Sequence, residues 1–339
     1  MQNIYNNYIE LFNSKTTNKE KSEHLNKMEK YILSSSFDKM IDSPLLNPIK
    51  SSLKQSFKEI KSSHNSGEVK YSNYRAKKLI SLCISCHSQL PAREFKPLNR
   101  KRLGKLADIT DQYNMALLYR DYNLANSILE KRIFEKKDNK KLAYKVELDI
   151  NEVLDNYLTH LKDRKGLEKF LKKMNIEFKK NKELQSYIFD FEVALKKWDK
   201  EKIDDSSEKN LKKLITKYLV PIEDDLKSIY FVEADNRVTT SIIKGMLSEY
   251  LLLYPDKEFT AQALYWRALL EKQHDNLDFY SLADLYNTEC VLSYSKSPFA
   301  KKCYENLEKS IRDGFTGSSG THIPDEVKSS LKDLKRHLN

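Results

Sequence analysis

Two cysteines and a histidine fall within the five-residue segment Cys83–His87, of sequence CISCH, in a chain of 339 residues. Thiol sulfur and imidazole nitrogen are side-chain groups that bind transition metals, form covalent sulfur bonds or act as redox centres. The flanking apolar residues predict one helix from Tyr71 to Gln89, ended by the prolines that follow. Cys83 and Cys86 are three residues apart, so both thiols are expected on one face of that helix.

The segment resembles the CxxCH haem-attachment motif of c-type cytochromes. Two thiols at this spacing reach the two vinyl groups on one edge of a porphyrin, and the adjacent imidazole reaches the iron. The resemblance implies thioether bonds at Cys83 and Cys86, His87 as the proximal iron ligand, and a covalent haem c as cofactor. We expect a backbone carbonyl of Pro91 or Pro97 to orient the His87 ring. With 4 Cys and 7 His in the chain, chance produces such a motif on the order of once in a thousand sequences.

Other chemistry at the two thiols has less support in the sequence. A structural zinc site would need two more ligands, commonly a second CxxC or an HxxxH, and Cys290 and Cys303 are too widely spaced for the former. A thioredoxin-like redox site would need a βαβ context, which this chain lacks. The remaining alternative is a pair of buried structural thiols on the apolar face of a helix.

The second axial ligand is open on sequence alone. The simplest cytochromes c carry the motif near the N-terminus with a methionine in a later loop, whereas here the motif lies well inside the chain. Met115 is the first methionine downstream and is our leading candidate, ahead of His64 and Met40. For each candidate a structural role has more support than a ligand role: Met115 as a core residue of a helical hairpin and His64 as a loop residue. A vacant or water-bound position is the further alternative.

Cys290 and Cys303 lie on either side of a turn centred on Ser295–Pro298, at equal distances from it. In an antiparallel helical hairpin they would stand at the same height, so a disulfide is feasible if both face the seam. A disulfide would suit an oxidising compartment, and two small buried thiols are the alternative.

The composition favours an all-α protein. Only 7 Gly and 8 Pro are present, few for sheets or Gly-rich nucleotide folds, and the apolar residues recur at helical spacing. The pattern predicts helices at these positions: 49–62, 71–89, 106–120, 124–135, 140–161, 167–178, 183–198, 209–219, 223–254 (one helix or two), 259–273, 278–294, 298–313 and 325–338. Residues 63–67 and the glycine cluster 314–320 are predicted loops.

The helices also resemble the tetratricopeptide pattern, in which small and aromatic residues mark stacked helical hairpins. The segments that carry this resemblance are 113–129, 263–268, 286 and 298–300. It implies hairpins stacked as an α-solenoid, because one hairpin does not bury its apolar face alone; an ordinary helical bundle is the alternative. We divide the chain into an N-terminal helical region with the CxxCH motif (1–100), a helical repeat region (101–220) and a tetratricopeptide-like region (221–339).

The net charge of +11 comes mostly from lysines interleaved with acids, which is typical of solvated helix faces. No arginine-rich stripe with interleaved aromatic residues is present, so no nucleic-acid partner is expected. No apolar run approaches the roughly 18 residues of a transmembrane helix. Residues 1–10 lack the basic and apolar parts of a signal peptide, so haem attachment outside the cytoplasm would need an export signal that these residues do not supply.

Together these features predict a periplasmic c-type haem protein for electron transfer or for redox or gas sensing. Its helical-repeat body would bind a protein partner, which includes a redox partner. The alternative is a cofactor-free helical-repeat scaffold for protein–protein interaction. An enzyme such as a haem peroxidase is less expected, because no distal acid–base residues are recognisable by motif.

Overall fold

The structure, a computed structural model, describes residues 2–12, 16–32, 43–89, 103, 106, 108–135, 143–201, 203, 205–228, 234–255, 257–272, 281–318 and 320–338. Over this part of the chain the protein is all-α, and two short strands are its only β-structure. The predicted fold class is therefore confirmed. The helices pack mainly against their neighbours in sequence, which is the arrangement of stacked helical hairpins.

The chain divides into two compact units, the first built from residues 1–42 and 49–161 and the second from residues 43–48 and 162–339. This division follows packing and has its boundary near residue 161. The three regions drawn from the sequence, with boundaries at residues 100 and 220, stay a prediction.

The described part of the first unit consists of helices. They are α1 (Gln2–Phe12), α2 (Asn18–Ile32), α3 (Asn47–Asn65), α4 (Val69–Gln89), α5 (Ile109–Leu118), α6 (Tyr122–Glu135) and α7 (Ala143–Asp155), which continues as a π-helical turn, Asn156–Leu161. Successive helices pack together from α4 through α7.

Polar contacts fix the register of these helices. The buried Asn156 side chain donates to the Oδ1 atom of Asn126 at 2.8 Å, and Arg132 Nε donates to Asp149 at 2.8 Å. Because a buried polar group without a partner costs about 1–3 kcal/mol, such bonds select one packing of α6 on α7.

The second unit is longer. Its elements are α8 (Arg164–Glu177), α9 (Lys182–Trp198), α10 (Glu208–Leu214) with a π-helical turn (Ile215–Leu219) and a 3₁₀ turn (Val220–Ile222), α11 (Glu223–Lys227), α12 (Ala234–Leu253), α13 (Thr260–Lys272), α14 (Leu282–Ser293), α15 (Pro298–Gly314), a hairpin of β1 (Thr316–Gly317) and β2 (Gly320–Thr321), and α16 (Asp325–Arg336).

Helix α13 is the centre of the second unit. Residues on all its sides are buried, as is typical of a helix surrounded by others. It packs against α12, α14 and α15. Ala263 and Ala268 are fully buried there, and so is Tyr286 of α14, which agrees with the small and aromatic positions singled out in the sequence.

Several predicted boundaries differ from the structure. The expected loop at 63–67 is wrong at its start, because α3 continues through Asn65 and ends where Gly67 adopts a φ of +89°. The range 223–254 is two helices, α11 and α12. The glycine cluster forms the β1–β2 hairpin, with Gly320 at a φ of +97°, a conformation that glycine adopts without strain.

Candidate functional site

The CxxCH segment lies in the last two turns of α4, a helix of 21 residues. Cys86 and His87 are each only 4% exposed, whereas Cys83 is half-buried. The predicted helix at 71–89 is confirmed, so the two thiols do lie three residues apart on one helical face. Both are free cysteines.

The imidazole of His87 is fixed by α5. Its Nδ1 atom lies 3.0 Å from the backbone carbonyl oxygen of Leu118. A carbonyl only accepts hydrogen bonds, so Nδ1 must carry the proton and donate it. In the neutral ring the basic nitrogen is then Nε2, the atom that remains to bind a metal.

The Leu118 carbonyl is available because of how α5 ends. Arg120 adopts a left-handed φ of +56°, and its N–H donates to Leu117 while the Asp121 N–H donates to Ala116. These two bonds form a Schellman-type helix end, which leaves other carbonyls of the last turn without intrahelical partners. Leu118 offers one of them to His87.

Burial sets the protonation of the site. It raises the pKa of Cys83 to about 12, with Cys86 adding to the effect, and raises that of Cys86 to about 11 against the opposing influence of Lys50 and Arg120. Both thiols are therefore protonated near pH 7. Because the thiolate is the reactive form, burial makes both thiols weak nucleophiles.

The imidazole is neutral for the same reason. Burial lowers the pKa of His87 to about 4, and the Arg120 cation lowers it further, while the bond to Leu118 opposes the change. A neutral imidazole is the metal-binding form of histidine. His87 is therefore in the protonation state that can bind a metal ion.

Sequence reasoning missed three groups around the motif. They are the Leu118 carbonyl, the Arg120 side chain and Tyr8 of α1, whose pKa is raised by burial and then by nearby Asp111 and Cys83. A backbone carbonyl carries no sequence signal. Arg120 takes a left-handed position usually filled by Gly or Asn, and therefore gives none either.

Met115 is fully buried on α5, one turn before Leu118, and α5 packs against α4. Since Nδ1 of His87 faces α5, Nε2 is directed away from that helix. If Nε2 bound a metal ion, a further ligand would come most directly from a segment other than α5. The ligand role of Met115 stays an untested sequence prediction, and its full burial on the helix that Nδ1 faces favours a core position instead.

Of the other residues that the sequence suggested around the motif, the structure describes only His64. His64 lies at the end of α3, next to the start of α4, so the rise along α4 places it roughly 27 Å from His87. It is therefore remote from the motif. Met40, Pro91 and Pro97 lie outside the described residues. The carbonyl that orients His87 in the described chain belongs to Leu118 rather than to a proline.

Cys290 and Cys303 form a disulfide between α14 and α15. Both residues are fully buried. The pairing predicted as feasible from their equal distance to the turn is confirmed.

Two further observations concern the described part of the chain only. Within it, no group of three or more His, Cys, Asp or Glu side chains is arranged to hold a metal ion. None of its helices combines the length and apolar character needed to cross a membrane.

Comparison of the chain with protein-family models, with curated proteins and with solved structures finds no match.

Proposed function

We propose that this protein is a periplasmic c-type haem protein that transfers electrons or senses redox state or a gas. Cys83 and Cys86 would hold a haem c by thioether bonds, and His87 Nε2 would bind its iron. The observation that carries the proposal is the 3.0 Å contact between His87 Nδ1 and the Leu118 carbonyl. Histidine ligands of metals typically donate their other ring nitrogen to such a fixed acceptor.

The chain's own residues prepare this site in three ways. Burial keeps His87 neutral, so the ring is ready to bind iron without first losing a proton. Leu118 holds the tautomer and the ring plane. The helical backbone of α4 places Cys83 and Cys86 on one face beside His87. A bound haem would supply a one-electron carrier.

The Cys290–Cys303 disulfide supports the proposed compartment. Structural disulfides persist in oxidising environments such as the bacterial periplasm and are rare in the cytosol. Covalent haem attachment to CxxCH in the c-type family also takes place outside the bacterial cytoplasm. The two cysteine pairs therefore point to the same location by independent chemistry.

The stacked helices support the second half of the proposal, a protein partner bound by the helical body. Packing between sequential helices produces extended surfaces of the kind used for partner binding. A redox partner is the partner class that electron transfer requires.

A cofactor-free helical scaffold is the second candidate function. Its support is the state of the thiols, since a buried Cys86 with a raised pKa behaves as a small apolar core residue. Under this alternative the CxxCH segment packs α4 and carries no chemistry.

Intact mass separates the two candidates. The chain is exported from a host competent in haem attachment, alongside a known c-type cytochrome as maturation control, and its denatured mass is measured. We expect the mass of one added haem in the natural chain and in the Cys290→Ala/Cys303→Ala variant, and none in Cys83→Ala/Cys86→Ala. An unmodified natural chain beside a matured control would establish the scaffold instead.

A further inference from the structure

A cleft of about 590 Å³ opens on the second unit, away from the cysteine motif in sequence. Its walls come from three segments: Lys212 of α10, residues between 257 and 262 that lead into α13, and residues 293–299 that join α14 to α15. The volume lies in the range of small-molecule pockets, roughly 300–1,000 Å³.

Positive charge dominates the lining. Lys212, Lys257 and Lys296 face it against a single carboxylate, Glu258. Lys212 pairs with Glu208 at 2.7 Å. By contrast, neither Lys257 nor Lys296 forms an ion pair with any residue in the described part of the chain, and both side chains line the cleft.

Two helix N-termini add to this field. The first turn of α13 contributes Ala261 and Gln262 to the wall, and α15 begins at Pro298 beside it. Both helices are longer than ten residues, so each contributes partial positive charge at its start. The partial charges at the helix starts add to the positive charge of the lysines. Without the lysines they would not be enough to bind an anion.

Aromatic rings supply the apolar part of the lining. Phe259, Phe299 and Tyr294 contribute to the walls, and Phe259 is held edge-on by Tyr250 with ring centroids 5.1 Å apart. A ligand with both a charged and an aromatic or apolar part would therefore match the cleft better than a bare ion.

The walls are tied to each other. The Tyr294 hydroxyl donates to the Pro255 carbonyl at 2.6 Å, which joins the segment before α13 to the turn after α14. The Cys290–Cys303 disulfide holds the two helices on either side of that turn. A site held in this way loses little conformational freedom when it binds a ligand.

We propose that this cleft binds a small organic dianion that carries an aromatic or apolar group. The proposal is independent of the haem assignment, because no residue of the cleft belongs to the CxxCH site.

Phenyl phosphate is the probe for calorimetric titration of the full chain at low ionic strength. We expect saturable binding, weaker binding of inorganic phosphate, and loss of binding as salt is raised. Lys257→Gln/Lys296→Gln should weaken phenyl phosphate binding by about tenfold or more, because two charge contacts are removed. The matched control is Lys301→Gln, an exposed lysine of α15 outside the lining, which should bind as the natural chain does.

Far-UV circular dichroism and the melting temperature establish that each variant is folded. Absence of saturable phenyl phosphate binding to the natural chain at millimolar concentration overturns the proposal. Equal affinity of the natural chain and the double variant, or an equal loss in Lys301→Gln, overturns it as well.

Discussion

His87 is held in one tautomer by a carbonyl 31 residues further along the chain, at the end of the next described helix. The motif itself is readable from the sequence because its three side chains are adjacent. Its orienting partner is not, since a main-chain oxygen carries no residue identity and becomes available only through the left-handed turn at Arg120. The sequence placed this acceptor at a proline after the motif, whereas the fold supplies Leu118.

Substitution of Met115 tests whether this residue is the second axial ligand. Because His87 Nε2 is directed away from α5, we expect Met115→Leu to leave the absorption spectrum of the haem form unchanged. The substitution conserves volume, so the free energy of unfolding should fall by less than about 1.5 kcal/mol. Spectroscopy and urea denaturation measure the two quantities.

The control for Met115 is Met174→Leu, an equally buried methionine of α8 in the second unit. A changed spectrum and a lowered reduction potential in Met115→Leu alone would identify Met115 as the second axial ligand, since thioether ligation raises the potential.

Among the elements, the helical spacing of apolar residues was enough to predict most of the helices. Ser281 and Ser297 cap α14 and α15 through their hydroxyl groups, and both helices begin close to where the sequence placed them. The predicted boundaries that differ from the structure are at helix ends and at breaks between helices. Residues 63–65 read as a polar loop, yet they continue α3 because the turn itself comes only at Gly67.

The α14–α15 hairpin yields a prediction about its disulfide. Cys290 and Cys303 are 13 residues apart, so removing their bond should lower the free energy of unfolding by about 3 kcal/mol through the greater freedom of the unfolded chain. Urea denaturation of Cys290→Ala/Cys303→Ala measures this loss.

The matched comparison for the disulfide uses a reducing agent. Dithiothreitol should destabilise the natural chain and leave the double variant unaffected. An equal response of both, or no response in either, would show that the bond is absent from the folded protein.

Over the whole molecule, the two units are not continuous in sequence, because a short segment of the second unit interrupts the first. Residues 43–48 lie in the second unit although the segments on both sides belong to the first. The Ser43 hydroxyl donates to the Leu251 carbonyl at 3.0 Å, and Leu45 and Leu46 are fully buried. A partner so distant along the chain leaves no local signal, so this packing could not be predicted from the sequence.

Leu45→Ala tests that arrangement. We expect a loss of 2–5 kcal/mol, roughly the cost of emptying a leucine site in a packed core. Leu253→Ala is the control, because Leu253 is 61% exposed on α12 and its removal should change stability by no more than about 0.5 kcal/mol. A surface turn at Leu45 would instead give two equal, small effects in chemical denaturation.

A pyridine haemochrome spectrum of the exported chain, taken after acid–acetone extraction, tests whether Cys83 and Cys86 hold a haem covalently. We expect a c-type α-band that stays with the protein, is lost in Cys83→Ala/Cys86→Ala and is retained in Cys290→Ala/Cys303→Ala. A colourless protein, from a host that matures a control cytochrome c, would show that these cysteines hold no haem.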